Sequence, residues 1–160
     1  MIVIGVDPGS KGAIVILVLD GVKTLSVGSS KEVSGANLYD LIAQEKADHV
    51  FIEKAQSMPR QGISSAFTYG TGYGGLLAAV EIAKVPFTLI SPRIWTSKMH
   101  LGCEADSPKE KSVKAFARIF PGMGDGIKNR NGKLHDGLVD AALIAMYGAR
   151  YVVSYKTDVL

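Results

Sequence analysis

The sequence is poor in cysteine and histidine and has no long apolar run, and each shortage excludes a class of protein. Cys103 is the only cysteine among 160 residues, so an internal disulfide is impossible and a reducing compartment fits. The three histidines, His49, His100 and His135, are scattered and form no metal-binding motif. The longest apolar run, Ala13 to Leu19, is too short to cross a bilayer, and the start lacks the basic residues of a signal peptide. We therefore expect a cytoplasmic protein without a membrane partner.

Composition and charge favour one ordered, nucleic-acid-binding domain. Apolar residues make up 47% and charged residues 21%, which is typical of a globular chain, and no linker divides it. We expect a single domain over 1–160, with a flexible tail at 154–160. The net charge is only +3, but residues 93–133 hold nine of the eighteen Lys and Arg against four acids. This segment is a candidate phosphate-facing surface, with an ordinary solvated face as the alternative.

The order of apolar runs and turn signals predicts an α/β fold. Three early strands at 2–6, 13–19 and 22–27 read as an antiparallel meander, and later strands are expected at 49–53 and 86–90. Helices are expected at 34–46 and 62–84, after Ser91-Pro92, from Ser107-Pro108 to about 120, and at 134–152. A glycine-rich basic loop separates the last two. The pattern indicates a mixed five-stranded sheet flanked by helices.

Four acidic residues lie either next to buried apolar strands, where a charge is costly, or on a helix face without a basic neighbour. Asp7 and Glu53 each end a buried apolar strand, and Asp136 and Asp140 share one face of the last helix. Carboxylates at two strand ends and on a later helix suit Mg²⁺, which prefers oxygen ligands. Two such ions about 4 Å apart can activate water and stabilise the leaving oxygen of a phosphodiester.

Each acid also has an ordinary structural interpretation. Asp7 before Pro8-Gly9 could be a turn residue, Glu53 could pair with Lys54 or Arg60, and Asp136 could cap the last helix. Other chemistries fit less well, because no nucleophile-elbow motif surrounds a serine. Glycines at 70, 72, 74 and 75 lack the following Gly-Lys-Ser/Thr of a phosphate loop, so we expect no nucleotide cofactor and interpret them as close helix packing.

Several segments together resemble the RuvC-type Holliday junction resolvases, including their phage-encoded branch. The opening Ile4 to Ser10 is similar to the family's first strand and turn, and Phe51-Ile52-Glu53 to its second acidic strand. Glu110-Lys111-Ser112 resembles its basic helix start, and Asp140 to Ala145 its closing acidic helix. Order and spacing agree over nearly the whole chain.

The resemblance implies a ribonuclease H-like fold, dependence on Mg²⁺ with Mn²⁺ as substitute, a homodimer, and paired nicks in four-way DNA. It assigns metal-ligand roles to Asp7, Glu53 and Asp140, and a catalytic DNA contact to Lys111. Asp136 is a fourth candidate ligand, displaced by one residue because Gly137 stands where the family commonly has an acid. Candidate DNA-contacting residues are Gln56, Met58, Arg60, Arg93, Lys98, Lys111, Lys128, Arg130 and Lys133.

The loop after Glu53 departs from the family, which often has an aromatic residue three positions after the second acid. Here that position is Gln56, and Met58 is the nearest large apolar residue. We interpret Met58 as a wedge against unstacked bases, with burial in the core as the alternative.

Two further questions remain open in the sequence. Gly70, Gly74 and Ala78 at four-residue spacing permit either a dimer interface or packing of their helix on its own sheet. A branched-DNA-binding protein without catalysis is an alternative function, as is an ATPase of the actin and heat-shock type, whose opening motif is similar. The latter folds need two such domains, and 160 residues supply one.

Overall fold

The computed structural model describes residues 1–9, 11–20, 23–30 (backbone only), 32–55, 62–124 and 134–153. Its sheet has the strand order β3-β2-β1-β4-β5. The strands are β1 Ile2–Asp7, β2 Ala13–Asp20, β3 Lys23–Ser30, β4 His49–Glu53 and β5 Phe87–Ile90. β1, β2 and β3 form the expected antiparallel meander, whereas β4 pairs parallel with both β1 and β5. An α/β fold with a mixed sheet is confirmed.

In the ranges described, five α-helices cover the two faces of this sheet. They are α1 Gly35–Glu45, α2 Ile63–Ala83, α3 Pro92–Met99, α4 Pro108–Ile119 and α5 Asp136–Gly148, followed by a π-helix at Ala149–Val153. One face of the sheet packs with α1 and α2 around Ile4, Val6 and Ile52. The other packs with α3, α4 and α5 around Val3, Val15 and Phe51. Successive strand residues therefore fill two separate cores, as the alternation of side chains in a strand requires.

Local sequence signals determine where most helices begin. The Ser34 hydroxyl accepts a hydrogen bond from the Asn37 amide, and Ser107 accepts one from the Glu110 amide. The last helix differs from expectation, because it begins at Asp136 and its final turn is a π-helix. His135, not Asp136, is its N-cap, with ring Nδ1 accepting from the Leu138 amide. The interpretation of Asp136 as a cap is therefore wrong.

Glycines let α5 lie directly on the sheet. A Cβ at Gly5 would overlap the Ala141 carbonyl and stand 2.7 Å from the Ala145 Cβ, and one at Gly148 would overlap the Phe51 ring. The glycines of α2 behave differently. Among the described residues, nothing lies within 4 Å of a Cβ added at Gly70, Gly72 or Gly74, whereas one at Gly75 would stand 3.9 Å from the Gly35 nitrogen. Packing of Gly70 and Gly74 on the chain's own sheet is therefore not seen in these ranges.

No helix among the described ranges is both long and apolar enough to cross a membrane.

Replacing Gly148 by Ala should destabilise the protein, because Phe51 is fully buried and cannot yield space. Overpacking of this kind costs about 1–3 kcal/mol. Gly72→Ala is the matched control, since alanine is favoured over glycine in a helix by about 1 kcal/mol and nothing obstructs its Cβ. Urea unfolding of both variants checks the prediction, and equal or raised stability of Gly148→Ala would show that α5 does not rest on Phe51.

Candidate functional site

Sheet pairing brings the first two acids together. β1 and β4 are parallel neighbours, with Val6 opposite Ile52, so the residues that follow, Asp7 and Glu53, end adjacent strands at one edge of the sheet. Both side chains are partly buried. The indole N–H of Trp95 on α3 donates to Glu53 Oε2 at 2.7 Å. Within the described ranges the ion pair present joins Lys109 and Asp136, so Glu53 does not pair with Lys54, and Arg60 lies outside the described residues.

The third acid, Asp140, comes from α5 and is also partly buried. It is close enough to the strand-end acids for their charges to affect one another. Burial, and then the charges of Asp140 and Glu53, raise the pKa of Asp7 to about 8. Burial likewise raises the pKa of Asp140 to about 6, with Glu53 adding to the rise. The three carboxylates form one repulsive cluster, the carboxylate cluster.

Hydrogen bonds only partly offset this repulsion. Burial raises the pKa of Glu53, and the bond from Trp95 opposes that rise. The Ser112 hydroxyl lowers the pKa of Asp140 in the same way. Asp140 Oδ1 is nevertheless buried without a hydrogen-bond partner in the described part of the chain. A buried carboxylate oxygen in this condition needs a proton or a cation.

The donor set suits a hard cation, but the carboxylates do not yet enclose one. Carboxylate oxygens are the ligands that Mg²⁺ prefers, and the unpartnered Asp140 Oδ1 is such a ligand. Within the residues described, no group of three or more His, Cys, Asp or Glu side chains is gathered tightly enough to hold a metal ion. Binding would therefore require side-chain rotation within the cluster.

Asp136, the fourth candidate ligand, lies at the rim. It is exposed and forms an ion pair of 2.5 Å with Lys109 of α4. Gly137 beside it cannot carry a side chain, because a Cβ there would overlap the Lys11 carbonyl and lie 2.8 Å from the Gly12 Cα. The close approach of α5 to the turn after β1 thus explains why an acid is absent from position 137.

The candidate DNA-contacting residues divide into three groups. Lys111 of α4, Arg93 of α3 and His100 line one open cleft of about 580 Å³. Lys98 is exposed on α3 and does not line this cleft. The remaining DNA-contact candidates, Gln56, Met58, Arg60, Lys128, Arg130 and Lys133, lie outside the described residues.

Several residues of the site were missed in the sequence. Trp95 and Ser112 contact the acids directly, Lys109 pairs with Asp136, and His100 bonds Ser112. Burial raises the pKa of Tyr69 on α2, and the charges of Glu53 and Asp7 add to the rise, so Tyr69 also lies near the acids. Of these residues, only Trp95 could have been suspected from the sequence, because a buried indole N–H requires a hydrogen-bond acceptor.

Comparison with known proteins supports the fold. No protein-family model matches the sequence, and no curated protein matches it. Thermus thermophilus RuvC is 20% identical, with 97% of each chain covered and a TM-score of 0.68, and its complex with Holliday junction substrate gives 20%, 96% of each chain and 0.67. The yeast mitochondrial Holliday junction resolvase is 13% identical over 99% of this chain and 84% of its own, with a TM-score of 0.59. The chain therefore has the fold of RuvC and the Holliday junction resolvases, which confirms the resemblance found in its sequence.

Proposed function

We propose that this protein is a metal-dependent endonuclease that cuts four-way or related branched DNA by paired phosphodiester hydrolysis. The observation that carries the proposal is the carboxylate cluster: three partly buried acids, from β1, β4 and α5, repel one another at one edge of the sheet. A protein rarely keeps several partly buried acids in mutual repulsion unless another group compensates their charge or they serve a function. The shared fold with structures solved on Holliday junction DNA indicates the class of substrate.

Asp7, Glu53 and Asp140 would hold Mg²⁺, or Mn²⁺ in its place. The bound ions would activate a water molecule and stabilise charge on the leaving oxygen, as in a two-metal site. Around them, Trp95 holds Glu53 by its indole N–H, and α5 holds Asp140 against β1. Asp136 would join the ligands only by giving up its ion pair with Lys109.

The cationic cleft of Arg93, His100 and Lys111 would bind the DNA backbone beside the cluster. It is open to solvent and carries two cations, which suits phosphate oxygens. Lys111 is proposed to lie near the scissile phosphate, where a cation stabilises developing negative charge. Lys98, more exposed, would contribute chiefly to salt-dependent affinity.

We also propose a homodimer through the outer face of α2, because two symmetry-related strands of a junction require two sites. Ile63 and Phe67 are 90% and 77% exposed on this helix, and Ile82 is 68% exposed. Nothing in the part of the chain that the structure describes lies within 4 Å of a Cβ added at Gly70 or Gly74, so a partner helix could approach closely there. Exposed apolar side chains on one helix are typical of an interface.

Asp7→Asn and Glu53→Gln should abolish cutting of a labelled four-way junction in Mg²⁺ while junction binding persists. Each variant removes a ligand charge and keeps the side-chain shape. Asp48→Asn is the control, since this carboxylate accepts from the Ile2 amide at the opposite end of β1. Cleavage by either cluster variant at the wild-type single-turnover rate would contradict the proposal. Junction binding without cutting by the wild type would instead favour a non-catalytic protein, and an absolute need for ATP the actin-type alternative.

Metal-free stability should fall as pH rises, because the folded protein holds the Asp7 proton more tightly than the unfolded chain. The ordinary pKa is 3.8 and the folded value is about 8, so the free energy of unfolding should decline between these values. Asp7→Asn should lose most of this decline and be the more stable protein at pH 8. Denaturant titrations in EDTA from pH 5 to pH 9 measure how the free energy of unfolding changes with pH in the wild type and in Asp7→Asn. The same pH dependence in both proteins would refute the destabilising effect assigned to the Asp7 charge.

Phe67→Glu should convert the dimer to a monomer, because it places a charge in the proposed apolar interface. Analytical ultracentrifugation at micromolar concentration measures the change, with Tyr39→Glu on the exposed side of α1 as a control. A wild-type protein that sediments as a monomer would contradict the dimer.

A further inference from the structure

Ser112 is exceptional among the side chains that the structure describes. It is 6% exposed and is the single polar residue within the buried set there. It lies on α4, and its hydroxyl oxygen is 3.0 Å from His100 Nε2. Ser112 and His100 line one cavity with Asp140 of α5, and a hydrogen bond from the Ser112 hydroxyl lowers the pKa of that carboxyl. A buried serine in a helix can satisfy itself by bonding a backbone carbonyl one turn earlier. Ser112 instead connects two side chains at the site.

The chemistry of the three groups sets the direction of both hydrogen bonds. An ionised carboxylate only accepts, so the Ser112 proton is directed to Asp140. The hydroxyl oxygen must then accept from His100, which places the ring proton on Nε2. His100 is suited to the neutral form, because burial and the nearby charge of Lys111 lower its pKa. Asp140 Oδ1 has no hydrogen-bond partner among the described residues, so this oxygen is the one left for a cation.

The His100 ring is itself held in place. It packs edge-on against Trp95, with ring centroids 5.7 Å apart, and Trp95 is the residue that bonds Glu53. His100 also lines both the cationic cleft and a cavity of about 260 Å³ that contains Ser112 and Asp140. A series of contacting side chains thus connects the cationic cleft with the carboxylate cluster.

We propose that Ser112 and His100 are positioning residues that orient the Asp140 carboxylate for a divalent cation. Ser112 donates to the Asp140 carboxylate while Oδ1 stays available for the metal, and His100 fixes the Ser112 hydroxyl in the donating orientation. This inference rests on the proposed function. Hydrogen-bonded partners of metal ligands typically change metal affinity by about 10–100-fold when they are removed.

Calorimetric titration of Mn²⁺ into the metal-free protein tests the proposal without measuring activity. Ser112→Ala should weaken Mn²⁺ binding by about 10–100-fold, and Ser112→Thr, which keeps the hydroxyl, should restore most of it. His100→Leu should also weaken binding, whereas His100→Gln retains an N–H donor and should weaken it less.

Two variants control for general damage. Ser107→Ala removes the cap of the same helix at a cost of about 1 kcal/mol without touching the network. His49→Gln removes a partly buried histidine that stacks on Phe51, away from the cluster. Both should bind Mn²⁺ as the wild type does.

A second measurement in the metal-free protein separates this inference from the proposed function. ¹⁵N NMR of His100 should show the proton on Nε2 in the wild type and a weaker preference for Nε2 in Ser112→Ala. Wild-type Mn²⁺ affinity in Ser112→Ala, or a His100 proton on Nδ1, would overturn the positioning role while leaving the metal site intact. A wild-type protein that neither binds Mn²⁺ nor cuts junctions would overturn both proposals.

Discussion

The seating of α5 on β1 positions the whole site. Gly5 and Gly148 remove the side chains that would hold the helix away from the sheet, and Gly137 does the same at the turn after β1. Asp140 is carried by this helix to the edge where β1 and β4 end in Asp7 and Glu53. A side chain at Gly5 would meet the Ala141 carbonyl and the Ala145 backbone, so α5 would have to move away from β1 and carry Asp140 farther from both strand ends.

This packing of α5 places three acids close together, and the surrounding helices offset their repulsion only in part. Burial is the largest cause of the raised pKa at Asp7, Glu53 and Asp140, and mutual repulsion adds to it at Asp7 and Asp140. α3 and α4 respond with hydrogen bonds from Trp95 and Ser112. Both of these side chains are uncharged, and Lys109 of α4, whose charge also lowers the pKa of Asp140, is paired with Asp136. The cluster therefore still requires positive charge, and a divalent cation is the partner that its oxygen chemistry favours.

Much of this arrangement could be predicted from the sequence, because strand ends and caps are local signals. Apolar runs located the strands that end at Asp7 and Glu53, and Ser107 marked the start of α4. The role of Asp136 depended on an unknown partner, since Lys109 lies on another helix and only the packing of α4 on α5 brings them together. Ser112 and His100 were missed for the same reason: their significance comes from long-range contacts. For the glycines of α2 the sequence left two alternatives open, because spacing alone does not tell whether a helix face meets its own chain or a partner; in the described part of the chain Gly70 and Gly74 meet nothing.

The most direct test of the account is a crystal of the wild-type protein soaked in Mn²⁺ and measured at the manganese absorption edge. The account predicts anomalous density bound by Asp7 and Asp140, including the unpartnered Oδ1, with Glu53 as a further ligand. Manganese only at exposed carboxylates such as Asp136, or none at the carboxylate cluster at millimolar concentration, would contradict it.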